Sequence, residues 1–270
     1  MLGGGVVAGV FGSLLGLGGG ILIVPLLSLG FGLPVREAVG VSLVCVIVTS
    51  GASAAVYLER KVANLRLGMV LELFTAAGAV VGGLVAFLLD DRLLAALFTG
   101  MLLYVAFSML RRARAPEGAA APESPAPSAP ASEGRRFIDS LSGPGYEVHH
   151  LRFGAVGAVF AGVLSAILGI GGGIVKVPLM HLAMGVPLRV ATATSNLMVG
   201  ITASTSAIVY LLRAGIDPYV AGPTALGVFV GAAIGSRAAH RVDLRILRFL
   251  FVAVLLYTAF EMGRRAAGIG

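Results

Sequence analysis

Charge is scarce in this sequence. Only 12% of its 270 residues are Asp, Glu, Lys or Arg, 57% are hydrophobic, and the mean hydropathy is +0.97. An ordinary soluble domain carries about 25% charged residues, so a solvent-exposed globular protein is excluded and a polytopic membrane protein is indicated. Cysteine is almost absent. Cys45 stands alone inside an apolar stretch, which forbids an intrachain disulfide and leaves it a packing role. The four histidines and the acidic residues do not gather within the apolar runs, which argues against a metal site or a metal cargo. No His-Glu-x-x-His, Ser/Lys dyad or pair of intramembrane aspartates occurs at a useful spacing, so no enzyme and no cofactor is expected. The apolar runs do not alternate as the strands of a membrane β-barrel would. The first of them lacks a basic flank and leads straight into a glycine motif, so it does not read as a cleavable signal peptide.

What the chain does have is length of apolar sequence. Residues 38–58 and 190–212 hold no charge and 67–89 only Glu72, each close to the roughly 20 residues that a membrane-crossing helix requires. The net charge is +7, and the arginines cluster between these runs, as in "ERKVANLR" and "RRAR". That is a juxtamembrane pattern and not a nucleic-acid surface.

The sequence also repeats. "GLGGGILIVP" at 16–25 returns as "GIGGGIVKVP" at 169–178, and the same offset of 153 residues aligns Gly9 with Gly162, Pro34 with Pro187, Arg36 with Arg189 and Ser42 with Ser195. The register continues without a gap to Gly78 and Gly231, Tyr104 and Tyr257, and Arg111 and Arg264. The chain therefore divides into a first membrane repeat (1–112), a linker (113–150) and a second membrane repeat (151–270). The linker is rich in Pro, Ala and Ser and short of large apolar residues, which predicts a flexible tether, with a short interfacial helix over 135–152. His149 and His150 are adjacent, do not share a helix face, and read as a solvated pair. The expected fold is all-α: four apolar segments per repeat, A to D, at 3–32, 38–58, 67–89 and 92–110, then 153–185, 190–212, 218–237 and 243–262. Asp217-Pro218 signals the start of the second C, and Asp91 and Asp243 stand where caps for D belong. The glycines four apart in C (Gly78 and Gly82, Gly231 and Gly235) provide small faces for helix packing.

Segment A is about 30 residues long with its glycines near the middle. Main chain left unpaired at membrane depth is tolerated only beside protein or water, so a break there predicts a cavity or a site. Gly18, Gly19, Gly20, Gly171, Gly172 and Gly173 would stop the helix and let a ligand approach a backbone without Cβ. The resumed helices, kinked by Pro25 and Pro178, would offer free amides to an anion. Two such ends facing one another is a construction used by secondary transporters; close helix crossing is the plainer use of the same glycines. Lys176 stands where the first repeat has Ile23. It could attract an anion, cycle a proton, or snorkel to an interface. Segment B opens with Ser42 in one repeat and with Thr194, Ser195 and Asn196 in the other, residues able either to bind anion oxygens or to tie helices together. Glu72 has no aligned partner and reads best as interfacial, with proton coupling the alternative. His181 reads as packing or interfacial.

The paired GxGGGxxxxP motifs, the "AVGVS" and "ATATS" starts after a Pro-Xaa-Arg turn, and the four-plus-four layout resemble the TauE/SafE sulfite exporter family across both repeats. The resemblance implies a permease for small inorganic or organic anions such as sulfite or sulfonates, working by a secondary mechanism. It implies ligand roles for the glycine triplets, Ser42 and Ser195, and kinks at Pro25 and Pro178. Val41 stands where family members often have threonine, and the long linker is not required by the motif.

Whether A crosses the membrane or turns back sets the symmetry. If it turns back, the repeats are inverted, and the linker side collects Arg60, Lys61, Arg66, the linker arginines, Arg189, Arg237, Arg241, Arg245 and Arg248 against Arg36, Arg92, Arg213, Arg264 and Arg265 opposite. If it crosses, Arg189 and the arginines at 237–248 exchange sides with Arg213, Arg264 and Arg265, and the asymmetry shrinks. Positive charge favours the cytoplasm, so inverted repeats around a midplane site fit better. In both arrangements the linker is cytoplasmic, in a prokaryotic inner membrane. Alternating access would be driven by an unspecified proton or sodium ion; a passive channel or a non-transporting scaffold are the rivals. The lipid bilayer is the other expected partner, nucleic acid is not one, and a homo-oligomer is compatible with the sequence.

Overall fold

The computed structural model describes residues 1–15, 20–59, 62–114, 141–143, 146–213, 215–238 and 244–268. Among them the chain forms helices α1 (Leu2–Leu15), α2 (Gly20–Pro25), α3 (Val35–Glu59), α4 (Leu65–Ala86), α5 (Asp91–Arg114), α6 (Leu151–Leu168), α7 (Gly173–Pro178), α8 (Leu188–Leu212), α9 (Pro218–Ala238) and α10 (Leu244–Ala266). No strand occurs among the described residues. Wider π-turns carry α2 on through Leu26–Gly30 and α7 on through Leu179–Ala183. Five described helical stretches are long and apolar enough to cross a bilayer: Leu65–Ala86, Asp91–Arg111, Leu151–Leu168, Leu188–Leu212 and Pro218–Gly235. This is an integral membrane protein.

Local chemistry starts these helices where it should. The Asn64 side chain accepts from the Leu67 amide at 3.1 Å before α4, and Asp217 from the Tyr219 amide at 2.9 Å, with Pro218 in the first turn of α9. Asp91 is already the first residue of α5. The position before the helix belongs to Asp90, one residue earlier than the sequence reading placed it, while Asp243 lies outside the described residues. The short interfacial helix expected within 135–152 falls largely on 135–140, outside the described residues. Of the rest, Leu141 is in a 3-10 turn, 142–143 and 146–150 form a loop carrying an isolated bridge between Gly143 and Tyr146, and Leu151 and Arg152 open α6. That loop is anchored: Asn64 Nδ2 donates to the Leu141 carbonyl and to the Tyr146 hydroxyl, both at 2.7 Å. Leu141 and Val148 are buried with Leu67, Met180 and Met184.

The main helix pairs are α1 with α9, α6 with α4, α5 with α10, and α3 with α8. Two of these run backbone against backbone. A Cβ at Gly78 would fall on the Val159 carbonyl and one at Gly162 on the Thr75 carbonyl; a Cβ at Gly231 would fall on the Val6 carbonyl and one at Gly9 on the Val228 carbonyl. The 153-residue offset turns each of the first two contacts into one of the second two. Around each break the chain touches itself again. A Cβ at Gly4 would lie 2.8 Å from the Leu26 side chain, one at Gly157 would lie 2.5 Å from Leu179, and the His149 amide donates to the Met184 carbonyl at 3.1 Å.

Candidate functional site

The second glycine motif breaks the helix by backbone geometry. Gly169 ends α6 in the left-handed region at φ 67°, with its amide bonded to the Ser165 carbonyl, and Gly171 and Gly172 follow, both at φ 73°. A residue with a Cβ pays roughly 1–2 kcal/mol for such a conformation, so a residue other than glycine would be selected against at these positions. Gly173 then opens α7. In the first motif Gly18 and Gly19 lie outside the described residues, and Gly20 opens α2.

The start of α2 meets the second break. A Cβ at Gly20 would lie 3.0 Å from the Gly169 carbonyl oxygen and 2.7 Å from Val46, and one at Gly171 would lie 2.9 Å from the same valine. Ser42 of α3 joins them: its buried hydroxyl is 2.7 Å from the Gly169 carbonyl and 3.2 Å from that of Gly20. With one proton to donate, it serves one of these carbonyls at a time. Its counterpart Ser195 is used differently. The Ser195 Oγ is buried without a hydrogen-bond partner and would sit 3.5 Å from a Cβ at Gly173. Ser165 Oγ is likewise buried and unpartnered, and the Ser165 Cβ would lie 3.2 Å from a Cβ at Gly172. Leaving a buried polar group unsatisfied costs about 1–3 kcal/mol, so two hydroxyls beside the second break hold unused bonding capacity.

Next to them lies a buried ion pair. Lys176 of α7 is 1% exposed, and its Nζ is 3.3 Å from Oε2 of Glu72 on α4, itself 5% exposed. Thr202 of α8 lies between them: its hydroxyl accepts from Lys176 and is 2.7 Å from Glu72 Oε1, with the Met198 carbonyl at 3.0 Å as a competing acceptor. A Cβ at Gly172 would lie 3.4 Å from Lys176 Cε, so the lysine stem runs beside the break. Lys176 therefore does not snorkel outward to an interface, and Glu72 faces its neighbours inside the bundle. The cause is packing, since α4 is held between α6 and α8 and turns residue 72 inward. By the same offset the other half has Ile23, Ala225 and Thr49 in place of Lys176, Glu72 and Thr202. Sequence reading noted both charges but not their pairing. The available signal was that neither has a charged counterpart in the other repeat.

The other named residues sit around this centre. Thr194 Oγ1 accepts from the Asn64 amide at 2.9 Å, and the Asn196 carbonyl accepts from Ser50 Oγ at 2.6 Å, so these contacts tie α8 to the α3–α4 turn and to α3. Pro25 and Pro178 are the last residues of α2 and α7, at the point where each helix widens into its π-turn. Proline has no N–H to hold the tighter register. His181 Nδ1 is 2.9 Å from the Val186 carbonyl, closing the α7–α8 turn. A cavity of about 210 Å³ opens at the α2–α3 turn, lined by Pro34, Asp91, Arg92 and Arg265 and not by Lys176.

Known proteins resemble the chain over nearly its whole length. The sulfite exporter TauE/SafE family model matches residues 1–262. The probable membrane transporter protein YunE of Bacillus subtilis is 26% identical over 269 residues, covering 96% of this chain and 94% of the relative. A probable membrane transporter protein of Methanocaldococcus jannaschii is also 26% identical, over 93% of this chain and 90% of its own length. No solved structure matches.

Proposed function

The chain belongs to the sulfite exporter TauE/SafE family of membrane transporters, and from that premise we propose that it is a secondary transporter of small anions, sulfur oxyanions such as sulfite or organosulfonates among them, working by alternating access. The observation that carries this reading is the meeting of the start of α2 with the second break at Ser42, beside the buried Lys176 and the unpartnered Ser195 and Ser165 hydroxyls. In this reading an oxyanion accepts hydrogen bonds from Ser195 and Ser165 and from the amides that begin α7, while Lys176 supplies charge. Gly20 and Ser42 frame the same point from the first half, and Thr194 and Asn196 hold α8 in place around Ser195.

The symmetry we propose is that of inverted repeats. The contacts of Gly4 with Leu26 and of Gly157 with Leu179 support segment A as a hairpin that returns to its own side, and the reciprocal pairs α1–α9 and α4–α6 support a two-fold relation between halves. The linker then lies on the arginine-rich, cytoplasmic face of a prokaryotic inner membrane. Rocking of one half against the other exposes the centre to each side in turn. The near-complete burial of Lys176, Glu72 and Thr202 supports an occluded state.

The test is flux of sulfite, sulfate, thiosulfate and methanesulfonate into liposomes carrying the purified protein, with and without a pH gradient. Saturable anion uptake that Lys176→Ala removes without loss of expression supports the proposal. Ohmic single-channel currents would make the protein a channel, and no flux of any of these anions would make it a scaffold.

A further inference from the structure

A site that must attract an anion already contains one. Lys176 is neutralised at 3.3 Å by Glu72, and both are almost sealed from solvent. The pair is a poor structural device, because desolvating two charges offsets most of their attraction. The other half does without it, carrying Ile23 and Ala225 at the corresponding places. We infer that Glu72 is an internal counter-anion: it occupies Lys176 until a proton neutralises it, and the freed ammonium then pairs with the transported anion. This rests on the anion-transport reading above.

The steps balance. On the loading side the Glu72 carboxylate takes a proton from the aqueous phase, Lys176 keeps its charge, and the substrate monoanion replaces the carboxylate as its partner. On the release side the anion leaves, Glu72 returns its proton to that aqueous phase, and the ion pair re-forms. A proton and a monoanion thus travel together, with no net charge moved. Thr202 has the geometry for both stages: its hydroxyl points to Glu72 Oε1 in the ion pair and has the Met198 carbonyl, 3.0 Å away, to turn to when Glu72 is neutral. No other charged group is given a role. Arg66 on α4, Arg152 on α6, His181 beyond α7 and Arg189 on α8 are all exposed, and Tyr210, further along α8, has its hydroxyl against the Ala166 carbonyl.

Methanesulfonate does not titrate near neutral pH, so any proton that accompanies it is carried by the protein. In liposomes containing a pH-sensitive dye, an inward methanesulfonate gradient should acidify the lumen through the wild-type protein. Glu72→Gln should still move methanesulfonate but lose the acidification, and Glu72→Asp should keep it. Methanesulfonate movement through the wild type without acidification overturns the inference and leaves the transport reading standing, and this measurement needs no variant to fold. Acidification that persists in Glu72→Gln overturns it too. Absence of wild-type flux for methanesulfonate, sulfite, sulfate and thiosulfate alike overturns the transport reading and this inference with it.

Discussion

Replacing Lys176 by methionine removes the ammonium 3.3 Å from Glu72 and leaves a carboxylate at 5% exposure with Thr202 as its remaining donor. Removing one partner of a buried pair costs about 3–5 kcal/mol, whereas exchanging both for apolar groups of similar volume ranges from neutral to a gain of about 1–4 kcal/mol. Lys176→Met should therefore lower the temperature at which the detergent-solubilised protein stops running as a single species by roughly 6–20 °C, taking about 2–4 °C per kcal/mol for a chain of this size. The double variant Glu72→Leu, Lys176→Met should recover that loss. Anion flux in liposomes should be absent from both. The two readouts separate structure from function, because the double variant is stable and still silent. A double variant that transports at the wild-type rate would refute the reasoning by showing that the pair is only glue, and so would a single variant of unchanged stability.

Other substitutions test other parts of the account. Ser42→Ala removes the hydroxyl shared by the Gly20 and Gly169 carbonyls and should cost about 1–3 kcal/mol, whereas Ser195→Ala removes a hydroxyl without a partner. The second variant should melt at or above wild type while its KM for the anion rises; equal destabilisation of the two would show that Ser195 is structural. Gly162→Ala and Gly9→Ala each push a methyl onto a backbone carbonyl of the paired helix and should each lower stability by about 1–3 kcal/mol. Gly100→Ala and Gly222→Ala, where nothing lies within 4 Å, should not; heat stability of the four variants in detergent checks this. Gly172→Ala, forced to keep φ 73° with its methyl 3.0 Å from the Ala161 carbonyl, should lose about 1–2 kcal/mol and fail in uptake assays even when it is expressed.

Much of this architecture is local, and local features are what a sequence displays. The second helix break was legible at Gly171 and Gly172, because only glycine takes a positive φ without cost. The membrane segments were legible because a bilayer demands long apolar runs, and the duplication because Gly9 with Gly162 and Gly78 with Gly231 keep register. The ion pair was not legible. Glu72 and Lys176 are 104 residues apart and meet only because α4 packs between α6 and α8, a long-range outcome that no window of sequence contains. Ser42 and Ser195 looked equivalent in alignment, yet one hydroxyl lies within reach of two carbonyls and the other of none. That difference depends on which carbonyls the breaks turn toward, and so on the tertiary placement of Gly20 and Gly169.

The central claim is that water and anions reach the point where the start of α2 meets the second break, and labelling of a cysteine placed there tests it most directly. Cys45 is the sole native cysteine and is buried, so a Cys45→Ala, Ser195→Cys chain carries a single thiol beside Gly173. In reconstituted, transporting protein that thiol should react with a membrane-impermeant sulfonate-bearing thiosulfonate reagent, and methanesulfonate should slow the reaction. A thiol that never reacts from either side of the membrane in protein that still transports, or that reacts at a rate no anion alters, would contradict the account.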